Sequence, residues 1–450
     1  MGIDRKPGIC REGTSMAQDT STSVRNLVIY SVFVRNHTPE GTFRAVIPDL
    51  PRIHSLGTDV VWLMPIHPIG EKNRKGMLGS PYANRDYRSV NPEYGTMDDF
   101  RALVHAIHAE GMKCMIDVVY NHTSPDSVLF DEHPEFFFRK PDGQPGNHVG
   151  DWSDVIDLDY NVSALWDYQI ETLCQWARIV DGFRCDVASF VPVAFWKRAR
   201  AEVEKVHPGC MWLAETVHRS FGAACRAAGM TCARDSEAFE AFDMEYEYDV
   251  QEAFERYLKG EIPLSCYLDL LDFQENLYPE NYDKLRFLEN HDVPRIASHV
   301  KSESDLRNYT AMLYFKKGTT LVYAGEEAAC SHQPSLFDRD TIDWNTGIDL
   351  SGLMRHMAQI KHDVLEADDA FFVSADDEND IAILRRDHNG RRKVGVFSLE
   401  SRSAEVTVPL PDGTYENLID GKAVAVADGR LMCSGAPIVL AADVERAWGV

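Results

Sequence analysis

The stretch TMDDFRALVHAIHAEGMKCMIDVVYNH, residues 96–122, holds one complete helix-then-strand unit, and its reading sets the frame for the chain. Thr96 with Asp99 three residues on makes a capping-box-like start. Phe100, Leu103, Val104 and Ile107 then give the i, i+3, i+4, i+7 stripe of an amphipathic helix, and Gly111 ends it. KCMIDVV (113–119) follows, apolar on both alternating positions, as expected of a parallel strand buried on both faces. The strand runs straight into Tyr120, Asn121 and His122, a polar end to an apolar element.

The same alternation extends in both directions. Candidate strands are NLVIYSVF (26–33), TDVVWLM (58–64), KCMIDVV (113–119), IVDGFRCD (179–186), CMWLAE (210–215), FEAFDME (239–245), KLRFLEN (284–290) and TTLVYAG (319–325). Helices are expected between them, at 163–178, 192–206, 248–259, 303–316 and 350–364. Eight strands separated by helices, with the count stopping at eight, predict an α/β fold, a (β/α)8 TIM barrel over 24–366. One connection is oversized: about 60 residues separate the third and fourth strands, which marks an inserted segment of functional kind over 123–165. Beyond 367 the pattern changes to short alternating runs such as IAILRR, KVGVFSL, AEVTVPL and GAPIVLA, so 367–450 is expected to be an antiparallel β-sandwich domain. Residues 1–23, rich in Ser, Thr and Gly, read as a loose N-terminal arm without the apolar run of a secretory signal.

Charge narrows the partners. The 450 residues carry 46 Lys and Arg against 71 Asp and Glu, a formal net charge of −25, which repels phosphate backbones and anionic membrane surfaces. No run of about 18 apolar residues occurs, so no membrane span is expected. The ten cysteines form no C-x-x-C pair, and without an export signal they read as reduced thiols of a cytoplasmic protein. The oligomeric state is left open.

In such barrels chemistry sits at the C-terminal ends of the strands. Asp117, Asn121 and His122 end the third strand, Arg184 and Asp186 the fourth, Glu215 the fifth, and His291 and Asp292 the seventh. A single acid at a strand end is most often a cap or an ion-pair partner, and a single histidine in an apolar segment is most often a core residue. Several at one rim are a different matter, because burying acids together is costly unless they are paired or used. Two of them could split a glycosidic bond, one as nucleophile and one as general acid. Arg184 lies two residues before Asp186, on the same side of the strand, where its charge would keep Asp186 ionised. Glu215 follows the apolar Trp212-Leu213-Ala214, a setting that raises a carboxyl pKa and keeps a proton available. Asp292 could hold a third charge near a developing oxocarbenium ion, and Tyr82, after the second strand, offers a flat face to a sugar ring.

DVVYNH (117–122), GFRCDVA (182–188), WLAET (212–216) and FLENHD (287–292) resemble, in order and spacing, four motifs of the α-amylase family, glycoside hydrolase family 13. SPYANRDYRSVNPEYGT (80–96), LDYN (158–161) and GTTLVYAGEE (318–327) add to the resemblance, which covers roughly residues 26–330. It implies a retaining mechanism on α-linked glucosides, most simply hydrolysis of α-1,4 bonds in malto-oligosaccharides or α-glucans. Asp186 would be the nucleophile, Glu215 the general acid/base and Asp292 the transition-state stabiliser. Arg184, His122 and His291 would line the subsite of the attacked sugar, with Tyr82 as platform and Asp117 and Asn121 in support. The segment 123–165 would be the family's small domain B.

The chain departs from the family pattern at four places. Ser189 and Phe190 stand where many α-amylases carry Lys and His, which help form an acceptor subsite and bind calcium. Ala83 replaces a Trp often found after the platform Tyr. VRNHTPEGTF lacks the Asp-x-Asn-x-Asp pattern of another calcium site, and Val187 resembles α-1,6-active and α-glucosidase members. No cofactor is expected to be required, with calcium the less favoured alternative. A transglycosylase or sugar isomerase on the same scaffold is the rival reading. A non-catalytic relative is more distant, since such proteins usually lose one of the three acids. A metal-dependent barrel hydrolase is disfavoured, because only His122 and His291 reach the rim.

Overall fold

The computed structural model describes Ala17 and residues 20–444. Of the expected arm 1–23, all but Ala17 and residues 20–23 lie outside that range.

Eight parallel strands form the core: β1 (Val28–Val32), β2 (Val60–Leu63), β3 (Lys113–Val118), β4 (Gly182–Cys185), β5 (Met211–Ala214), β6 (Met244–Tyr246), β7 (Lys284–Leu285) and β8 (Thr320–Tyr323). They lie in the order β8-β1-β2-β3-β4-β5-β6-β7, every ladder pair parallel. The remaining seam closes through the parallel bridge Arg286–Thr320, where Arg286 N donates to Thr319 O (2.7 Å) and Leu321 N to Arg286 O (2.8 Å). The sheet is therefore the expected (β/α)8 barrel.

The helix that opens the decisive stretch runs Met97–Ala109. The Thr96 side chain accepts from Asp99 N, Asp99 reaches back to Thr96 N, and Phe100, Leu103, Val104 and Ile107 are all buried. The five helices read from periodicity form at Ser163–Trp176, Val193–Glu204, Tyr248–Leu258, Glu303–Phe315 and Ser351–Asp363.

Two strands differ from their sequence reading. FEAFDME (239–245) does not extend as a unit: Asp235–Ala238 is a short helix, and β6 starts only at Met244. KLRFLEN (284–290) shortens to Lys284–Leu285 plus the Arg286 bridge. Both strands carry or border buried charges with side-chain partners. Lys284 reaches Asp235 (2.5 Å) and Glu245 (3.3 Å), and Arg286 reaches Glu247 (2.9 Å).

After β3 the chain makes a two-residue pairing, His122–Thr123 with Ile156–Asp157, which closes the inserted segment against the barrel rim. The next barrel helix begins at Ser163. Ties from the loop after β2 to the insertion include Lys75 Nζ to Asp154 (2.9 Å) and to Asp151 O (3.0 Å), and Asn73 Nδ2 to Ser153 O (3.3 Å).

The C-terminal region holds eight further strands: β9 (Ala370–Asp376), β10 (Ile381–His388), β11 (Arg391–Ser398), β12 (Ala404–Thr407), β13 (Gly413–Glu416), β14 (Ala423–Ala427), β15 (Arg430–Cys433) and β16 (Ile438–Asp443). They form two antiparallel four-stranded sheets, β9-β10-β11-β16 and β12-β15-β14-β13. Ile383, Val394 and Val396 of the first share one apolar cluster with Val406, Val426 and Leu431 of the second, the packing of a sandwich. No helix among the described residues is long and apolar enough to cross a membrane. The nine described cysteines are unpaired, and Cys10 lies outside the described residues.

Candidate active site

Strand register brings the charged residues together at the C-terminal rim. Asp117 on β3 and Arg184 on β4 are direct register partners, as are Cys185 and Ala214 on β4 and β5. The ladder runs one residue further, Asp186 N donating to Val118 O (2.9 Å) and Glu215 N to Cys185 O (3.0 Å), so both acids sit just past their strand ends.

Arg184 is the centre of the cluster. Its Nη1 donates to Asp117 Oδ1 (3.0 Å) and Asp186 Oδ1 (2.8 Å), Nη2 pairs with Glu215 Oε1 (2.8 Å), and Nε donates to the Tyr246 hydroxyl (3.3 Å). The guanidinium carbon lies 5.2 Å from the Trp62 ring centroid, 5.6 Å from Tyr82 and 5.5 Å from Tyr246. A fully buried cation thus faces three carboxylates within an aromatic collar, where a planar five-donor fork suits several acceptors at once.

The other expected residues fall in place around it. Tyr82 OH donates to Asp117 Oδ2 (3.0 Å) and meets His291 Nε2 (2.7 Å), and its ring lies parallel to the His291 ring at 5.3 Å. His291 Nε2 also contacts Asp292 Oδ2 at 3.0 Å, and His122 Nε2 lies 4.0 Å from Asp186 Oδ2. Asn121 stands one shell further out, its amide against His122 Nδ1 (3.2 Å). Asp292 differs from its neighbours: its side chain is 47% exposed, so it borders the open cleft.

Electrostatics sort these groups. Burial pushes the Glu215 carboxyl up to about 7, against the opposing charge of Arg184. Burial also lifts Asp186, to about 6, although Arg184 pulls the other way. Desolvation thus outweighs the cation, but a carboxyl at about 6 remains ionised at neutral pH. Desolvation acts on Asp292 too, but His291 beside it, with Arg184, holds that carboxyl below the usual range. Burial holds His122 below the ordinary histidine value. For His291 burial pulls down, and Asp292 more than reverses it.

Val187, directly after Asp186, has φ of +34°, a left-handed conformation rare for a β-branched residue. That turn directs its N–H onto Glu215 Oε2 at 2.7 Å, so the backbone beside one acid holds the other. Sequence reading missed this, along with Tyr246, Trp62 and Trp152, which stands edge-on to His122 at 5.4 Å. A period-2 reading of β2 could have turned Trp62 inward, since it pairs in register with Ser31 and Met115. Tyr246 lay beyond the misplaced sixth strand.

Asn121 is turned to His122. Asp157, across the pairing, accepts through Oδ2 from His148 N (2.8 Å) and meets its ring Nδ1 (2.7 Å), while its buried Oδ1 has no hydrogen-bond partner among the described residues. Among the described residues no group of three or more His, Cys, Asp or Glu is arranged to hold a metal, and calcium needs six or more oxygens.

Known proteins resemble the chain along most of its length. The model of the "Alpha amylase, catalytic domain" matches residues 15–153 and 148–370, and that of the "Bacterial Alpha amylase C-terminal domain" matches 372–440. The crystal structure of an alpha-amylase from Lactobacillus plantarum is 46% identical, covers 94% of this chain and 100% of its own, and superposes with a TM-score of 0.90. A noncanonic maltogenic alpha-amylase from Thermotoga neapolitana is 32% identical over 94% of this chain and 100% of its own, with a TM-score of 0.83. Among curated proteins, an alpha-1,4-glucan:maltose-1-phosphate maltosyltransferase of Myxococcus xanthus is 30% identical over 58% of this chain, and the match spans 42% of that protein's length. On barrel, rim and sequence together, the chain belongs to the α-amylase family, glycoside hydrolase family 13.

Proposed function

We infer that the protein is a retaining enzyme of α-glucosidic bonds, hydrolysing α-1,4 linkages of malto-oligosaccharides or α-glucans by double displacement. The observation that carries this reading is the single guanidinium of Arg184, which holds Asp186 and Glu215 side by side at the open end of the barrel. Glu215 donates its proton to the glycosidic oxygen as an Asp186 oxygen attacks the anomeric carbon. The bond to the leaving sugar breaks, and a glycosyl ester on Asp186 forms. Asp292, ionised beside His291, faces the positive charge that develops on the ring. In the second step the Glu215 carboxylate takes a proton from the acceptor hydroxyl, whose oxygen displaces Asp186 with overall retention. The reaction needs only these carboxylates, so no cofactor is called for.

A second reading, transfer of the glycosyl group to another sugar, is favoured by the relatives named as maltosyltransferases. Time-resolved products from maltoheptaose test both. Glucose and short maltodextrins released first as the α-anomer support hydrolysis with retention, and products longer than seven units support transfer. First release of the β-anomer, or no turnover of maltoheptaose, isomaltotriose, sucrose or trehalose, would overturn the double displacement.

The raised carboxyls fix the pH dependence. Glu215, lifted to about 7, must be protonated to act as acid, so kcat/KM falls as pH rises through that region. Asp186, lifted to about 6, must be ionised to attack, so kcat/KM falls as pH drops below it. The two steps belong to the interacting pair rather than to either residue. A narrow bell centred between them is expected in a kcat/KM titration. A profile flat from about pH 5 to about pH 9 would contradict it.

A further inference from the structure

The helix Leu264–Leu277 has two apolar faces, and the fold covers one of them. Leu264, Tyr267, Leu268, Leu271 and Gln274 are buried against the barrel. On the outer face Leu270 is 38%, Phe273 60% and Leu277 52% exposed, and Cys266 is exposed with them. Three of the eight large apolar side chains exposed among the described residues thus lie on this one helix. The outer four follow one another at intervals of four, three and four residues, the a/d spacing by which one helix packs on another. An apolar stripe of this kind marks an interaction surface.

The stripe is held rigidly in place. Ser265 N donates to Asp377 Oδ1 (2.8 Å) at the end of β9, and Gln274 bridges Asp249 (2.7 Å) and Arg286 (2.7 Å). Beside it runs a groove of about 660 Å³, bounded by Gln274 and Tyr278 of this helix, by Tyr248–Leu258 and by Arg219–Ala227. Four cations line that groove: Arg219, Arg226, Arg234 and Arg256. Its acids are satisfied from within, Asp235 and Asp249 by the buried Lys284 (2.5 and 3.5 Å) and Glu252 by Ser220. Arg234 and Arg256 reach exposed Glu237 (3.3 Å) and Glu261 (3.2 Å), pairs that water screens and a partner can replace. At 100° per residue, Asp269 and Asp272 fall on the other side of the stripe, away from the groove.

We propose that this face pairs with the same face of a second copy of the chain, about a two-fold axis that runs along the stripe Cys266, Leu270, Phe273 and Leu277. The surface is complementary to itself: apolar along the middle, cationic on one flank and anionic on the other. An axis along the stripe turns each flank onto the opposite flank, so Asp269 and Asp272 of one copy face the arginines of the other. An axis across the stripe would set acids against acids. Each copy carries a formal net charge of −25, so this alignment also places the four arginines where an approaching anionic surface needs them. The two helices then run parallel in the same register, and Cys266 of one copy meets Cys266 of the other.

Sedimentation velocity over a concentration series reads the oligomeric state of the full chain, and bis-maleimidoethane, which joins two thiols by addition, reads the arrangement. The wild-type protein is expected to dimerise and to be crosslinked into a covalent dimer that Cys266→Ser does not form. Phe273→Asp enters the interface twice by symmetry and is expected to weaken the dimer by about 100-fold or more. Asp269→Lys together with Asp272→Lys, which sets cations against the arginines, is expected to weaken it by about tenfold. Thermal melts check that each variant folds, and Leu277→Glu carries the test if Phe273→Asp does not. A protein that stays monomeric at every concentration would overturn the proposal and leave the face to a different partner. A dimer that neither Phe273→Asp nor Leu277→Glu weakens would overturn it as well, because that dimer forms through another surface. A dimer tightened by the double Asp269, Asp272 variant, with no crosslink through Cys266, would overturn the axis along the stripe.

Discussion

The Asp186→Asn variant is expected to lose about 10⁴-fold or more in kcat/KM on malto-oligosaccharides, with little change in thermal stability. The loss corresponds to about 5.5 kcal/mol of transition-state stabilisation. It arises because an amide cannot form the glycosyl ester, whatever else binds the sugar. The fold should tolerate the change for a specific reason. The Asn carbonyl oxygen can still accept from Arg184 Nη1, as Asp186 Oδ1 does at 2.8 Å, and Arg184 keeps Asp117 and Glu215 as charged partners. Kinetics on maltoheptaose with parallel thermal melts separate the two effects. Activity within tenfold of wild type would remove Asp186 as nucleophile.

The Glu215→Gln variant separates acid catalysis from nucleophilic attack. On maltoheptaose, whose sugar leaving group needs a proton, kcat should fall by about 10³-fold. On α-maltosyl fluoride, whose leaving group needs none, formation of the glycosyl ester should persist and the ester should accumulate, because no base remains to activate the acceptor. A small nucleophile such as azide, which needs no base, should then restore turnover on the fluoride. The substituted side chain keeps one of its two contacts: a carbonyl oxygen can accept from Val187 N, where Glu215 Oε2 now does at 2.7 Å. Equal losses on the two substrates, with no rescue by azide, would mean that Glu215 is structural.

How far the sequence reached depends on where charge lies in the barrel. The strands β1 to β5 and β8 were legible because apolar residues fill both faces, and the helix Met97–Ala109 because its cap, stripe and terminating glycine agree. The strands β6 and β7 were expected too, within 239–245 and 284–290, but their bounds were not legible, because Glu245, Lys284 and Arg286 are polar in sequence and become buried only through partners elsewhere in the chain. Leu264–Leu277 escaped for the opposite reason. It exposes Leu270, Phe273 and Leu277 as well as burying Leu268 and Leu271, so no single stripe stands out.

The site divides in the same way. The acids, Arg184 and the two histidines are legible because they end strands in a recognisable order. Trp62, Tyr246 and Trp152 reach the site only by register and by the return of the insertion, which periodicity does not encode. The raised Asp186 was hidden too, since burial is a property of the closed barrel and not of the local string.

Val187 has a bearing on how such an enzyme would respond to laboratory evolution. A β-branched residue held at φ +34° costs roughly 1–3 kcal/mol, and the surrounding fold must sustain it. Glycine adopts that conformation freely, so at this position it would relieve the backbone and keep the N–H on Glu215 while giving up the side chain packed in the cluster with Phe190. A library screened on residual fold after heating rewards the relaxed backbone. A library screened on glucan turnover tests instead whether the side chain matters beyond the amide that holds the catalytic acid. The residue next to the nucleophile is thus a point where the contributions of backbone and side chain can be separated by selection.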